Sequence, residues 1–518
     1  MTASPLVRSS RHSLLVLLMM FYVCSTAAAA MADDDINCEP EQVAKLLASD
    51  GASNDWLGYS VAISGTTALV GASLDDDNGS NSGSAYIFEQ QPDGSWLETA
   101  KLLASDGAST DFFGNSVAIS GTIALVGAYR GDGNETNSGS AYIFEQQPDG
   151  SWLETAKLLA SDGESSDYFG YSVAISETTV LIGAYEDGDN GSNSGSGYIF
   201  EQQQDGTWLE TAKLTASDGA SNDRLGYSVA NSGTTALVGA CYDDDNGLNS
   251  GSAYIFEQQQ DGSWLETAKL LASDGESNDW FGYSVAISGT TALVGVHRDG
   301  DNGDYSGSAY IFEQQENGTW LETAKLLASD GESKDFLGWS VAISGTIDLV
   351  GAYGDDDNGS YSGSAYIFKQ QQDSSWLETA KLLAADGEST DYFGYSVAIS
   401  GTTALVGAYA DDDNGGNSGS ASIFNIPDLI DCNENGICDI DDIAFGTSED
   451  TNGNGIPDEC ECPDTNGDGT INVNDILAVI GGWDDCVPDA DCPADVDGDG
   501  TVGVNDLLLV IGEWGECL

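Results

Sequence analysis

Over residues 56–103 the apolar positions fall into four short runs. In Tyr59–Ser64, Tyr59, Val61 and Ile63 alternate with Ser60, Ala62 and Ser64, the two-residue period of a strand. Thr67–Ala72, Ser84–Glu89 and Trp96–Leu103 are further runs of strand length. Ser64-Gly65 turns the first into the second. Asp93-Gly94 separates the third from the fourth and supplies the positive φ that hairpin turns need. Asp149-Gly150, Asp205-Gly206, Asp261-Gly262 and Asn317-Gly318 repeat that turn, and no helical period appears.

The whole pattern returns every 56 residues without insertion or deletion, marked by Gly58, Gly114, Gly170, Gly226, Gly282, Gly338 and Gly394. A fixed period of this size signals a repeat architecture. A lone four-stranded sheet cannot cover its own faces, whereas sheets packed around an axis bury them together. The prediction is an all-β, seven-bladed propeller over residues 38–426. The last copy stops after its third strand, at Ser422-Ile423-Phe424, and the missing fourth stands at the other end as Gln42–Leu47. The N-terminal strand is therefore expected to close the last blade and remove an exposed edge.

Charge narrows the function. Fourteen Lys and Arg face 86 Asp and Glu, a formal net charge of −72. A nucleic-acid partner, which needs a basic surface, is excluded. Two histidines, His12 and His297, are too few for a His-rich zinc site or several general bases. Alternating strand direction puts the second-to-third loops and the links between blades on one face. These include nearly all the long acidic loops, with Asp50, Asp55, Asp75–Asp77, Asp187, Asp189, Asp243–Asp245, Asp299, Asp301, Asp355–Asp357 and Asp411–Asp413. A ring of carboxylates around one mouth of the channel is expected. It would bind Ca²⁺ weakly or a cationic ligand, or serve only as solvated loop tips.

Residues 1–32 read as a secretory signal, with Arg8 and Arg11, an apolar run over Leu14–Val23 and small residues beyond it. That run is short for a membrane span, and no later one is long enough, so an exported chain without membrane insertion is expected.

After Phe424 cysteine becomes frequent and four Asp/Asn/Gly loops follow. In the third, Asp464, Asn466, Asp468, Asn472 and Asp475 stand at loop positions 1, 3, 5, 9 and 12, with Gly469 at 6 and the Thr470 carbonyl at 7. The fourth repeats this with Asp495, Asp497, Asp499, Thr501 and Asp506. A short apolar helix is expected after each, at Ile476–Ile480 and Leu507–Ile511. Two looser loops over residues 427–461 offer Asp431, Asn433 and Asn435, then Asp450, Asn452, Asn454 and Asp458. Ca²⁺ is the expected cofactor. Seven cysteines lie from Cys432 onward, Cys38–Cys432 is a candidate disulfide, and Cys241 stands alone as the expected free thiol.

Three resemblances follow from these motifs. The pairs Phe113-Gly114, Phe169-Gly170, Phe281-Gly282 and Phe393-Gly394, with Gly71-Ala72-Ser73 and Gly127-Ala128-Tyr129, resemble the FG-GAP repeats of integrin α-subunit propellers. That family often carries a calcium loop between the first and second strands. Here the connection is only Ser-Gly-Thr, or Ser176-Glu177-Thr178, so that site is not carried over. Residues 462–518 resemble a type I dockerin, which implies a small α module and a cohesin-like partner. Val473-Asn474 and Val504-Asn505 depart from the Ser-Thr pairs common at its partner-reading positions. Residues 427–461 are similar to thrombospondin type 3 calcium repeats.

Two functions fit. One is a secreted, non-enzymatic binding or adhesion protein, with the propeller facing an extracellular protein or glycan and the calcium module docking it. The other is a subunit of an extracellular polysaccharide-degrading complex. Acids that recur around a symmetric ring, with no copy set apart as an acid–nucleophile pair, favour the first. Arg130-Gly131-Asp132, an integrin-recognition tripeptide, is short enough to arise by chance. Arg224 in place of an aromatic and Asp348 in place of an alanine are the other departures between copies.

Overall fold

The strands form where alternation and turn chemistry place them. The structure is a computed structural model that describes residues 40–371 and 374–426, with residues 448, 470, 471, 502, 515 and 516. The chain divides into two units, one of them Pro40–Ile426. That unit is a ring of seven antiparallel four-stranded sheets. In the first blade the strands run, from the axis outward, Leu57–Ser64, Thr67–Ala72, Ser84–Gln90 and Trp96–Leu102. The expected bounds hold to within two residues at each end.

Burial follows position. The second and third strands are buried on both faces, so they read as near-continuous apolar runs. The outer strand alternates, and Leu97 stands outward on its exposed side. The core is divided among the blade junctions. One typical cluster joins Leu69, Ile87 and Leu102 of the first blade to Phe113, Val126 and Phe144 of the second.

Closure is as expected. The sheet of the last blade has Ser396–Ser400 innermost, then Thr403–Ala408 and Ser420–Asn425, with Glu41–Leu46 outermost. Gln42 pairs with Phe424, Ala44 with Ile423, Lys45 with Ser422 and Leu46 with Ala421, with a bulge at Val43. The same parallel bridge recurs at all seven junctions: Gly83–Phe113 joins the first blade to the second, and Gly419–Leu57 joins the last to the first. The seam is built like every other junction.

Of the C-terminal residues, Thr470–Ile471 pairs antiparallel with Gly515–Glu516, and Val502 is buried. Thr470 is the one predicted calcium ligand among the described residues. Asp464, Asn466, Asp468, Asn472, Asp475, Asp495, Asp497, Asp499, Asp506, Thr501, Asp431, Asn433, Asn435, Asp450, Asn452, Asn454 and Asp458 lie outside them. So do the secretory signal, the Cys38–Cys432 pair and the two expected helices. Cys241 is free and buried. No helix among the described residues is long and apolar enough to cross a membrane.

Candidate binding site at the propeller mouth

The acidic loops lie where the topology put them, yet their carboxylates do not form a free ring. Every complete outer strand reads Trp-Leu-Glu-Thr-Ala-Lys-Leu, and its lysine reaches back over the loops of its own blade. Lys101 Nζ stands 2.8 Å from Asp50, 3.0 Å from Asp75 and 2.7 Å from Asp77. The Tyr86 hydroxyl lies 2.8 Å from Asp50 and 3.1 Å from Asp75. Lys45, Lys213, Lys269, Lys325 and Lys381 hold the same three-carboxylate cluster. The second blade differs: Gly131 and Gly133 replace two of the acids, and Lys157 pairs with Asp106 alone.

Burial alone would lower the pKa of Lys101. Its hydrogen bonds to Asp50, Asp77, Tyr86 and Asp75 outweigh that and hold it well above its ordinary value. Burial would raise Asp50, but the bonds from Lys101 and Tyr86 leave it lowered. Each cluster thus already contains a cation. Among the described residues, no group of three or more acids, histidines or cysteines is arranged to hold a metal. These clusters sit under the outer strands, away from the axis.

The axis is paved with aromatic rings. The first residue of the inner-strand alternation is Tyr59, Asn115, Tyr171, Tyr227, Tyr283, Trp339 or Tyr395. Successive ring centroids are 5.1 Å apart for Tyr171–Tyr227 and Tyr227–Tyr283, 4.7 Å for Tyr283–Trp339, 5.3 Å for Trp339–Tyr395 and 5.1 Å for Tyr395–Tyr59. Asn115 Nδ2 closes the circle by donating to the Tyr171 carbonyl at 3.2 Å. Burial, together with neighbouring tyrosines, pushes the hydroxyls of Tyr171, Tyr227, Tyr283 and Tyr395 well above their ordinary pKa. This circle is the floor of the mouth.

Above it stand Trp56, Phe112, Tyr168, Trp280, Phe336 and Tyr392, with Arg224 at the seventh place. All have positive φ, for example 61° at Trp56 and 64° at Trp280. Tyr129, Tyr185, Tyr353 and Tyr409, at the end of second strands, fill the gaps between blades; Tyr409 stacks on Tyr392 and meets Trp56 edge-on. In the fifth blade that place is His297, 1% exposed, set 4.1 Å from Tyr283, 4.9 Å from Trp339 and 5.5 Å from Trp280. Burial holds its imidazole well below the ordinary pKa, and its Nδ1 has no partner. The Nε1 of Trp280 and the Nε of Arg224 are likewise unpartnered.

Arginine lies on the same surface. Arg130 stands over Phe112, Tyr129 and Tyr168; Arg224 over Tyr185 and Tyr242; Arg298 over Trp280 at 3.3 Å. Arg224 is 3.8 Å from Glu186. Asp132, the third residue of the Arg-Gly-Asp tripeptide, accepts from the Asn137 amide at 3.0 Å and so closes its own loop.

Copies that are identical in their outer strands differ here. The position after the 73-type residue is Leu74, Arg130, Glu186, Tyr242, Arg298, Gly354 or Ala410. Sequence reasoning singled out Arg130 and Arg224 but not the aromatic lining of the mouth. The signal was present: between near-identical copies, variation gathers at the residues that converge on the axis.

Residues 40–88, 96–144, 152–200, 208–256, 264–312, 320–368 and 376–424 match the FG-GAP repeat model. The chain belongs to the FG-GAP repeat family. Each matched segment starts on the outer strand of one blade and ends on the third strand of the next, so the FG-GAP unit is offset by one strand from the blade. The glycine of the FG pair is forced. Gly114 has φ +84°, and a Cβ there would meet the Ser84 carbonyl of the preceding blade. The glycine of the GAP triplet faces the same junction, since a Cβ on Gly71 would strike the Gly114 carbonyl, to which Ser60 donates at 2.8 Å.

Among curated proteins, this FG-GAP chain is 26% identical to Integrin alpha-6 of Gallus gallus over 224 residues, 40% of this chain and 20% of that protein. It is 29% identical to Beta/alpha-amylase of Paenibacillus polymyxa over 168 residues, 32% of this chain and 14% of that protein. The chain thus spans a small part of each relative's length.

Proposed function

We propose that this FG-GAP protein is a secreted, non-enzymatic binding or adhesion protein whose ligand sits on the aromatic mouth. The observation that carries this is the contrast between invariant outer strands and a diversified mouth. A scaffold kept constant while one surface varies is the arrangement of a recognition protein. The similarity to Integrin alpha-6 supports an extracellular or cell-surface setting.

The C-terminal module is the docking device in this reading, loaded with Ca²⁺ through the Asp464 and Asp495 loops and recognised by a cohesin-like partner. The spacing of those ligands supports it. The second reading, a subunit of a polysaccharide-degrading complex, draws support from the similarity to Beta/alpha-amylase and the dockerin resemblance.

The test is a screen of the full chain against glycan and extracellular-protein arrays, with and without chelator. Binding that Trp280→Ala abolishes, with thermal unfolding unchanged, supports the mouth as the ligand face. Hydrolysis of any polysaccharide by the purified chain overturns the non-enzymatic reading. Calorimetry showing no Ca²⁺ uptake by the full chain overturns the docking device.

A further inference from the structure

Ten of the twelve cations in the described propeller fall into two groups, Lys334 and Lys369 standing apart. Seven lysines are held by their blades' own aspartates. All three arginines of the described propeller stand at the mouth. With 86 acids to 14 bases, carboxylates are plentiful in this chain. Yet the guanidinium groups of Arg130 and Arg298 make no ion pair or hydrogen bond among the described residues. Arg298 lies 3.3 Å over the Trp280 ring, which restrains its guanidinium and leaves its N–H fork free, and Arg130 stands among the rings of Phe112, Tyr129 and Tyr168 at 5.2, 5.4 and 5.9 Å.

Stacking on an aromatic ring is how a protein pre-sets a guanidinium for a planar, two-oxygen anion without neutralising it. Around these forks lie flat indole and phenol faces, which suit the C–H faces of sugar rings. Arg130 belongs to the second blade and Arg298 to the fifth, on different sides of the mouth. One ligand touching both is a chain rather than a single sugar. We propose that the mouth binds an acidic polysaccharide, with carboxylate or sulfate groups taken by Arg130 and Arg298 and sugar rings laid on the aromatic faces between them. The acids elsewhere on the protein do not forbid this. At physiological ionic strength their repulsion is screened beyond about 8 Å, whereas a direct guanidinium contact is not.

This inference rests on the reading of the mouth as the ligand face and adds the chemistry of the ligand. The experiment is calorimetry of the full chain at physiological salt with four probes of matched length: an oligogalacturonate, a sulfated oligosaccharide, a neutral gluco-oligosaccharide and oligoglutamate. Binding of either anionic sugar in preference to the other two is expected, and the two anionic arms tell carboxylate from sulfate. Arg130→Ala and Arg298→Ala should each weaken that binding at least tenfold, and Arg298→Lys should restore it only in part because an ammonium has no fork. Leu153→Ala, on the exposed outer strand, should leave it unchanged. Equal binding of oligoglutamate, preference for the neutral sugar, no binding of any probe, or full binding by the double arginine variant would overturn the proposal. A neutral sugar lost on Trp280→Ala would keep the mouth as the ligand face while removing the acidic ligand.

Discussion

Lys45 Nζ donates to Asp386 Oδ2 across 2.7 Å, tying the first strand of the propeller to the link that enters its last blade. The same ammonium meets Asp411 and Asp413, so the cluster that closes the ring copies those inside the other blades. Lys45→Met should destabilise the propeller by about 2 kcal/mol, less than the 3–5 of a fully buried pair because Asp386 is half exposed. Removing Glu41–Leu46 should do far more and leave a chain that aggregates, since Ser420–Asn425 would become an open edge. Urea unfolding of the point variant and size-exclusion chromatography of the truncation measure the two effects.

Lys325 invites an exchange of cations. It stands 2.8 Å from Asp274 and Asp299 and 2.7 Å from Asp301. Lys325→Ala removes the ammonium and leaves three carboxylates and the Tyr310 hydroxyl around the space. Oxygen donors of this kind suit a hard divalent cation. The variant should lose roughly 2–3 kcal/mol in chelator and recover part of it in millimolar Ca²⁺, with no such calcium effect on the equivalent Lys157→Ala. Thermal melts with and without Ca²⁺ decide the matter.

Two departures between copies should be correctable. Glu177 has φ 54° at a turn where its siblings are glycines with φ near 56°, and a Cβ at those glycines meets nothing. Glu177→Gly should therefore stabilise by about 1 kcal/mol. Asp348 is fully buried with neither carboxyl oxygen paired, where Ala68 stands in the first blade. Asp348→Ala should stabilise by about 2 kcal/mol at neutral pH. Burial raises its pKa well above the ordinary value, so the gain should grow as pH rises above 3.8. Denaturant midpoints measured at several pH values test both substitutions.

Three link aspartates set the same pH trend as Asp348, and the lysine-bound aspartates oppose it. Burial lifts Asp279, Asp335 and Asp391 to about 6, against backbone amides that pull them down. A carboxyl raised in the folded state gives stability that is complete below its unfolded pKa of 3.8 and is lost as pH climbs through about 6. Asp50, Asp274 and Asp330 are lowered by their lysines despite burial, and their contribution is present above 3.8 and lost below it. Replacing Asp279, Asp335 and Asp391 by Asn keeps the acceptor for the loop amide. The triple variant should lose less stability than the parent between pH 4 and roughly 7, read from urea midpoints.

The ring was legible because its determinants are local and repeated. Tyr59–Ser64 alternates, Gly94 turns, and the segment from Gln42 carries the sequence missing after Phe424. What escaped was long-range. Lys101 reads as an outward polar residue of its strand, yet it binds Asp50, 51 residues earlier, because the strand passes beside the link. Many carboxylates of the predicted ring are taken up by lysines for that reason. The mouth escaped because Trp56, Tyr59 and Tyr129 each fit a strand or its flank when considered alone, and only the seven-fold closure brings their counterparts together. The departures Arg130, Arg224 and Arg298 were readable as a group, since they are every arginine after Arg11.

The one-strand offset between repeat and blade has a temporal consequence. During synthesis a polypeptide emerges from its leading end, and Glu41–Leu46 has no lasting partner until Ser420–Asn425 arrives. Six sheets can be assembled and stacked while the circle is still gaping. A stalled or clipped product lacking that late segment would carry a loose leading strand, a ready handle for proteases, so the clasp doubles as an inspection point for completeness.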